Sequence, residues 1–168
     1  LELGAIDPSA LRVSGFRGTE AMSRVFAYIV DLRTDESMVL GPELLGERAH
    51  LRVPGAGHDK IVRGIVTRIR SLGAGTHAGR RSEVRISPRA WLLSQRRGTR
   101  IFQDKTVPEI VAEIFAQRRV DSDDRLTRRY PRRTYCVQYD ETDHDFIFRV
   151  CGLFGYAVLF DQNAGTLP

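Results

Sequence analysis

The chain has 168 residues, 42% of them hydrophobic and 28% charged, which suits one ordinary domain or two small ones and is too apolar for wholesale disorder. No run of about 18 apolar residues occurs, which excludes a membrane-spanning helix of ordinary composition. The formal net charge of +5 hides an asymmetry: the net is −4 over residues 1–47, +11 over 48–100 and −2 over 101–168.

The first hundred residues are punctuated like a β protein. Leu11, Val13 and Phe16 suggest a first strand. Phe26, Tyr28, Val30 and Leu32 then alternate with Val25, Ala27, Ile29 and Asp31, as in a strand with one packed face. Gly41-Pro42 and Gly46 bracket a turn at Leu44-Leu45. Ala49, Leu51 and Val53 alternate with His50 and Arg52 until Pro54, and residues 55–59 read as a loop. Residues 61–69 are β-branched and long enough for a full strand, in which Gly64 predicts a bulge or bend. Residues 73–79 read as a flexible loop, and Val84 and Ile86 alternate with Glu83 and Arg85 up to Pro88. Several short strands separated by turns predict a small barrel or sandwich. Trp91-Leu92-Leu93 is expected to join the core.

The pattern changes after Arg100. Thr106-Val107-Pro108-Glu109 predicts a helix start with a capping box and Pro in the first turn. Val107, Ile110, Val111, Ile114 and Phe115 then form one apolar helical stripe. Tyr135, Val137 and Tyr139 alternate with Cys136 and Gln138, predicting a strand. Thr142 and the acids Asp143 and Asp145 open a second helix, where negative charge suits the helix dipole. Phe146, Ile147, Val150, Cys151 and Phe154 are its expected buried stripe, Gly155 its C-terminal cap, and Tyr156 to Phe160 a closing strand.

Catalytic groupings do not emerge. Ser14-Gly15 lacks the flanking Gly of a nucleophile elbow, and no glycine-rich run ends in Gly-Lys-Ser/Thr. Gly73-Ala74-Gly75 leads into a polar loop, where a phosphate site would need a helix. Asp140, Glu141, Asp143, His144 and Asp145 form an acidic group, but successive positions at a helix start point in different directions, so capping is the expected role. His50 and His58 have no Cys or third His to complete a zinc site. No catalytic, cofactor-binding or metal-ligating residue is therefore assigned, no cofactor is expected, and the chain reads as a non-enzyme. Cys136 and Cys151 are too few for a disulfide framework and are expected as buried free thiols.

The basic middle and the doublets Arg80-Arg81, Arg96-Arg97, Arg118-Arg119, Arg128-Arg129 and Arg132-Arg133 raise an alternative, a basic nucleic-acid-binding domain. Single-strand binding also wants interleaved aromatics, and only Trp91 is aromatic in the basic middle. A gel shift at physiological salt separates the two readings.

Two stretches carry a family resemblance. Residues 100–110 run Arg-Ile-Phe-Gln-Asp-Lys-Thr-Val-Pro-Glu-Ile, and residues 130–146 run from Tyr130-Pro131 through Tyr139-Asp140-Glu141-Thr142-Asp143 to Phe146. Together they resemble the N-terminal region of VgrG proteins, the tip and spike of type VI secretion systems, and the related GpD-type tail proteins of contractile phages. Leu44-Leu45-Gly46, Arg63-Gly64-Ile65-Val66 and residues 88–93 support the likeness. Two departures stand out: His144 replaces a usual aromatic, and Cys151-Gly152-Leu153-Phe154-Gly155 replaces an acidic helix end.

The resemblance implies a phage baseplate hub-like fold. A tail-tube-type β-barrel, residues 1–100, would be followed by a small helix-strand-helix-strand subdomain, residues 101–168, with a second barrel and a β-helical spike further along a longer chain. The absence of an initiator Met and the turn-like end agree with such a piece, and residues 1–8 lack the layout of a signal peptide. It also implies a homotrimer docked on an Hcp-type hexameric tube. Baseplate components and effectors would be further partners. The protein would assemble in the bacterial cytoplasm and then be secreted, without nucleic-acid binding or stable membrane insertion.

Overall fold

The computed structural model describes residues 1–74 and 79–160. Among them run the strands β1 (Glu2–Leu3), β2 (Arg12–Ala21), β3 (Arg24–Thr34), β4 (Arg48–Val53), β5 (Lys60–Ala74), β6 (Arg80–Ser87), β7 (Arg97–Lys105) and β8 (Arg133–Thr142). Helix α1 (Val107–Arg118) lies between β7 and β8, and α2 (Asp143–Leu153) follows β8. Short 3-10 helices occupy Pro8–Ala10, Pro42–Leu44 and Arg89–Gln95.

Contacts divide the chain into two units. The first is Leu1–Pro88 joined by Leu159 and Phe160, and the second is Arg89–Val158. The break expected after residue 100 falls inside β7, whose pairing with β8 draws residues 97–100 into the second unit.

In the first unit, β1 to β6 form one antiparallel sheet in the order β1-β4-β5-β6-β3-β2. The alternation along β3 is realised as read: Phe26, Tyr28, Val30 and Leu32 are buried and the residues between them half-buried. Each such buried side chain is worth roughly 1.5–3 kcal/mol. Their face continues through Ala49 and Leu51 of β4, Val62 and Val66 of β5, and Val84 and Ile86 of β6. Leu11, Leu40 and Leu44 close the core from the connections, and Phe160 meets Phe26 edge-on at 6.0 Å.

The barrel implied by the resemblance is not closed. β1 and β2 are the two ends of the sheet and do not pair with each other among the described residues. β1 contributes only two residues, too few to seal the ten-residue β2. At that edge Val13 and Phe16 stay exposed although their register faces the core side.

Gly64 has a different purpose from the bulge its position suggested. The irregularities of β5 lie between Val66 and Arg68 and between Ser71 and Gly73. At Gly64 a Cβ would sit 2.4 Å from the Ser87 carbonyl oxygen, so the backbones of β5 and β6 approach too closely for any side chain. β5 itself runs on to Ala74, and residues 75–78 of the expected loop lie outside the described residues.

The second unit is a two-stranded ribbon, β7 against β8, with α1 and α2 packed on it. Phe102 of β7 stacks on Phe146 of α2 at 5.5 Å between ring centres. Val107, Ile110 and Ile114 of α1 and Phe146, Ile147, Val150 and Cys151 of α2 are buried, as their periodicity predicts, with Leu93 beside them. Phe154 remains exposed, and Trp91 is only half-buried.

Both helix starts follow the sequence. Thr106 Oγ1 accepts from Glu109 N at 3.3 Å while the Glu109 carboxylate accepts from Thr106 N at 2.8 Å. Thr142 Oγ1 accepts from Asp145 N at 3.0 Å. At the end of α2, Tyr156 N donates to Cys151 O at 2.9 Å and Gly155 N to Gly152 O at 3.4 Å, with Gly155 at a φ of 71°. That is the paired-bond helix ending that favours glycine. Residues 156–160 form no strand: Tyr156 is taken up by this cap and by an edge-on contact with Tyr130.

Candidate assembly surfaces

The acidic group at 140–145 is separated by the β8–α2 junction, and each member takes a partner within the second unit. Asp140 pairs with Arg97 at 3.4 Å, and Glu141 holds Arg149, with Arg149 Nε donating at 3.1 Å. Asp145 accepts from His144 Nδ1 at 3.0 Å and from the Thr142 side chain, and these bonds hold its carboxyl below the usual range. Asp143 alone is buried, at 2% exposure.

Asp143 is the centre of a charged network. Arg118 Nε donates to its Oδ2 at 2.6 Å, Arg100 donates to Oδ1, and Gln138 Nε2 donates to Oδ1 at 3.0 Å. Arg100 also donates to Gln138 Oε1 and to Gln117 Oε1, each at 2.9 Å. A buried carboxylate needs such saturation, because an unpaired charge in the interior is costly. One side chain thereby joins β7, α1, β8 and α2.

This network inverts β8. Gln138 is fully buried, while Tyr135, Val137 and Tyr139 point outward. Pairing of Ile101 with Val137 and of Gln103 with Tyr135 builds an exposed apolar strip on the ribbon. Tyr139 is 78% exposed and Ile101 56%. Adjoining exposed apolar side chains of this kind mark interaction surfaces.

The first unit presents two more surfaces. One is the open edge of β2, bulged near each end but regular from Gly15 to Thr19. The other is the sheet face opposite the core. There Arg12 lies across from Arg33, and Arg33 across from Arg81, forming a row over β2, β3 and β6. All three are exposed. Next to the row, Asp31 lies across from Glu83, and Arg17 reaches both, at 3.6 and 2.6 Å. Arg70 lies 3.7 Å from Glu83. The hydrogen bond from Arg17 is the main cause holding the Glu83 carboxyl below the usual range. Beyond this balanced group, Arg68 faces Arg85, whose buried Nε has no hydrogen-bond partner among the described residues.

The arginine doublets, by contrast, are largely used internally. Arg118 binds Asp143, and the Arg119 carbonyl accepts from Arg89 at 3.2 Å. Arg132 reaches Glu109 at 3.1 Å, and the Arg133 guanidinium lies 4.6 Å from the Phe154 ring centre. His50 pairs with Glu2 at 3.1 Å, while His58 lies exposed in the β4–β5 loop. The sequence did not reveal the Arg12–Arg33–Arg81 row, because it is made by register.

The fold agrees with the proteins this chain is similar to. The family model for the phage tail baseplate hub (GPD) matches residues 19–167. The type VI secretion system spike protein VgrG1a of Pseudomonas aeruginosa is 37% identical over 149 residues, which cover 86% of this chain and 23% of that protein. VgrG3 of Vibrio cholerae, also a type VI secretion system spike protein, is 30% identical, covering 99% of this chain and 18% of that protein. The chain thus spans only about a fifth of the length of these relatives. Among solved structures, the E. coli c3393 protein superposes with a TM-score of 0.72 at 28% identity, covering 84% of this chain and 42% of that one. It is described as a component of the type VI secretion system with structural similarity to the T4 bacteriophage tail proteins gp27 and gp5. With its mostly β, hub-like fold and a match over most of its length, this chain belongs to the phage tail baseplate hub family.

Proposed function

We propose that the chain is the hub portion of a type VI secretion spike. In this reading the longer protein is a homotrimer that docks on a hexameric tube of the Hcp kind and leaves the cell with its effectors. These residues build the assembly and perform no catalysis. The reading is carried by the hub-family match over residues 19–167 together with a sheet left open along β2. An unpaired strand edge is a template for a neighbouring chain, and the exposed strip of Ile101, Val137 and Tyr139 offers apolar area for a second contact.

The test uses the full-length protein. Its mass in solution, measured by light scattering, is expected to be that of three chains, and Phe16→Glu together with Tyr139→Glu is expected to shift it toward one. In a bacterium carrying the system, deletion of the protein is expected to abolish release of the tube protein into the medium. A monomeric full-length protein, or undiminished tube release without it, refutes the reading.

A further inference from the structure

The exposed arginine row on the first unit has no internal explanation. Like charges directly across from one another in a sheet destabilise it, yet Arg12, Arg33 and Arg81 stand side by side on neighbouring strands. Among the described residues none of the three guanidinium groups makes an ion pair. Acids do lie on the same face, but Asp31 and Glu83 are occupied by Arg17 and Arg70.

We propose that this row is the docking site for an acidic polypeptide segment, whose Asp and Glu carboxylates pair with Arg12, Arg33 and Arg81. Four features select carboxylates on a protein. Arginine forks match carboxylates bidentately, and the row contains no lysine. Further along the same face of β3, beyond Asp31, the positions Ile29, Ala27 and Val25 are aliphatic and half-buried, which suits a partner carrying apolar side chains beyond its acids. Asp31 and Glu83 adjoin the row, so a continuous phosphate backbone drawn across the face meets two carboxylates, whereas a polypeptide with discrete acids need not. No aromatic side chain on the row offers a base a stacking platform. The inference goes beyond the spike reading and does not depend on trimerisation or on the tube.

The test measures binding of a fluorescein-labelled peptide of alternating Glu and Val to the full-length protein by anisotropy. The wild type is compared with Arg12→Gln/Arg33→Gln/Arg81→Gln and with the charge-matched control Arg24→Gln/Arg128→Gln/Arg129→Gln. The row variant is expected to bind at least tenfold more weakly and the control to match wild type, with wild-type binding weakening as salt is raised. Thermal unfolding of the row variant is expected at or above the wild-type temperature, because self-repulsion is relieved. Three results overturn the proposal: no binding by wild type, equal loss in the row and control variants, or displacement of the peptide by an oligothymidylate that binds the row as tightly. Failure of trimerisation leaves this binding untouched, so the two readings fail separately.

Discussion

Arg118 Nε donates to Asp143 Oδ2 at 2.6 Å, tying the last turn of α1 to the first turn of α2. Arg100 and Gln138 complete the shell around the same carboxylate. Asp143→Asn keeps the shape but removes the charge, leaving two partly buried guanidinium groups without their counter-ion. It is expected to destabilise the second unit by about 3–5 kcal/mol, read as a lower urea midpoint. A loss below about 1 kcal/mol, the value of an exposed pair, refutes a central role for this carboxylate.

The two threonine caps are local and separable. Thr106→Ala removes the acceptor for Glu109 N, and Thr142→Ala the acceptor for Asp145 N. Each is expected to cost about 1 kcal/mol, and Ser at either position to recover most of it. Amide hydrogen exchange should localise each effect to the first turn of the altered helix. Uniform loss of protection across the unit contradicts a capping role.

The legible parts of this fold were those fixed by short-range rules. The caps at Thr106 and Thr142, the glycine ending of α2 and the buried stripe of β3 depend on residues a few positions apart, and each forms as its sequence predicts. What required the structure was long-range pairing. Tyr135, Val137 and Tyr139 look like an inward face, but Gln138 turns inward because Asp143 and Arg100 await it across the ribbon. The arginine row escaped for the same reason: Arg12, Arg33 and Arg81 are distant in sequence and meet through strand register. The family signature in residues 100–110 and 130–146 covers β7, the start of α1 and β8, the elements whose pairing defines the second unit.

Gly64 tests the reading of a close backbone approach. An added Cβ would lie 2.4 Å from the Ser87 carbonyl oxygen and 3.0 Å from Ile86 Cγ2. The carbonyl belongs to the sheet and cannot swing aside as a side chain can. Gly64→Ala is expected to cost roughly 1–3 kcal/mol, as overpacking of an interior does. Gly57→Ala, where nothing lies within 4 Å, is expected to change stability far less. Equal urea midpoints for the two variants refute the close-approach argument.

Burial pushes the Cys151 thiol up to about 11. Cys136, on β8, is also raised, first by desolvation, with Arg133 and Arg149 opposing the shift. Because the native state keeps the Cys151 proton after the unfolded chain has lost it, the contribution of this thiol to stability is fully present below the unfolded value. It falls as the pH rises toward 11. Wild type is therefore expected to lose stability relative to Cys151→Val between about pH 9 and 11, by on the order of 2 kcal/mol. The comparison cancels the titration of tyrosines and lysines common to both proteins. Iodoacetamide at pH 8 supplies a second readout: Cys136 should be alkylated first, and Cys151 only as fast as the second unit opens. Parallel stability curves for the two proteins up to pH 11, together with equal alkylation rates at the two cysteines, place Cys151 in contact with solvent and refute its burial on the inner face of α2.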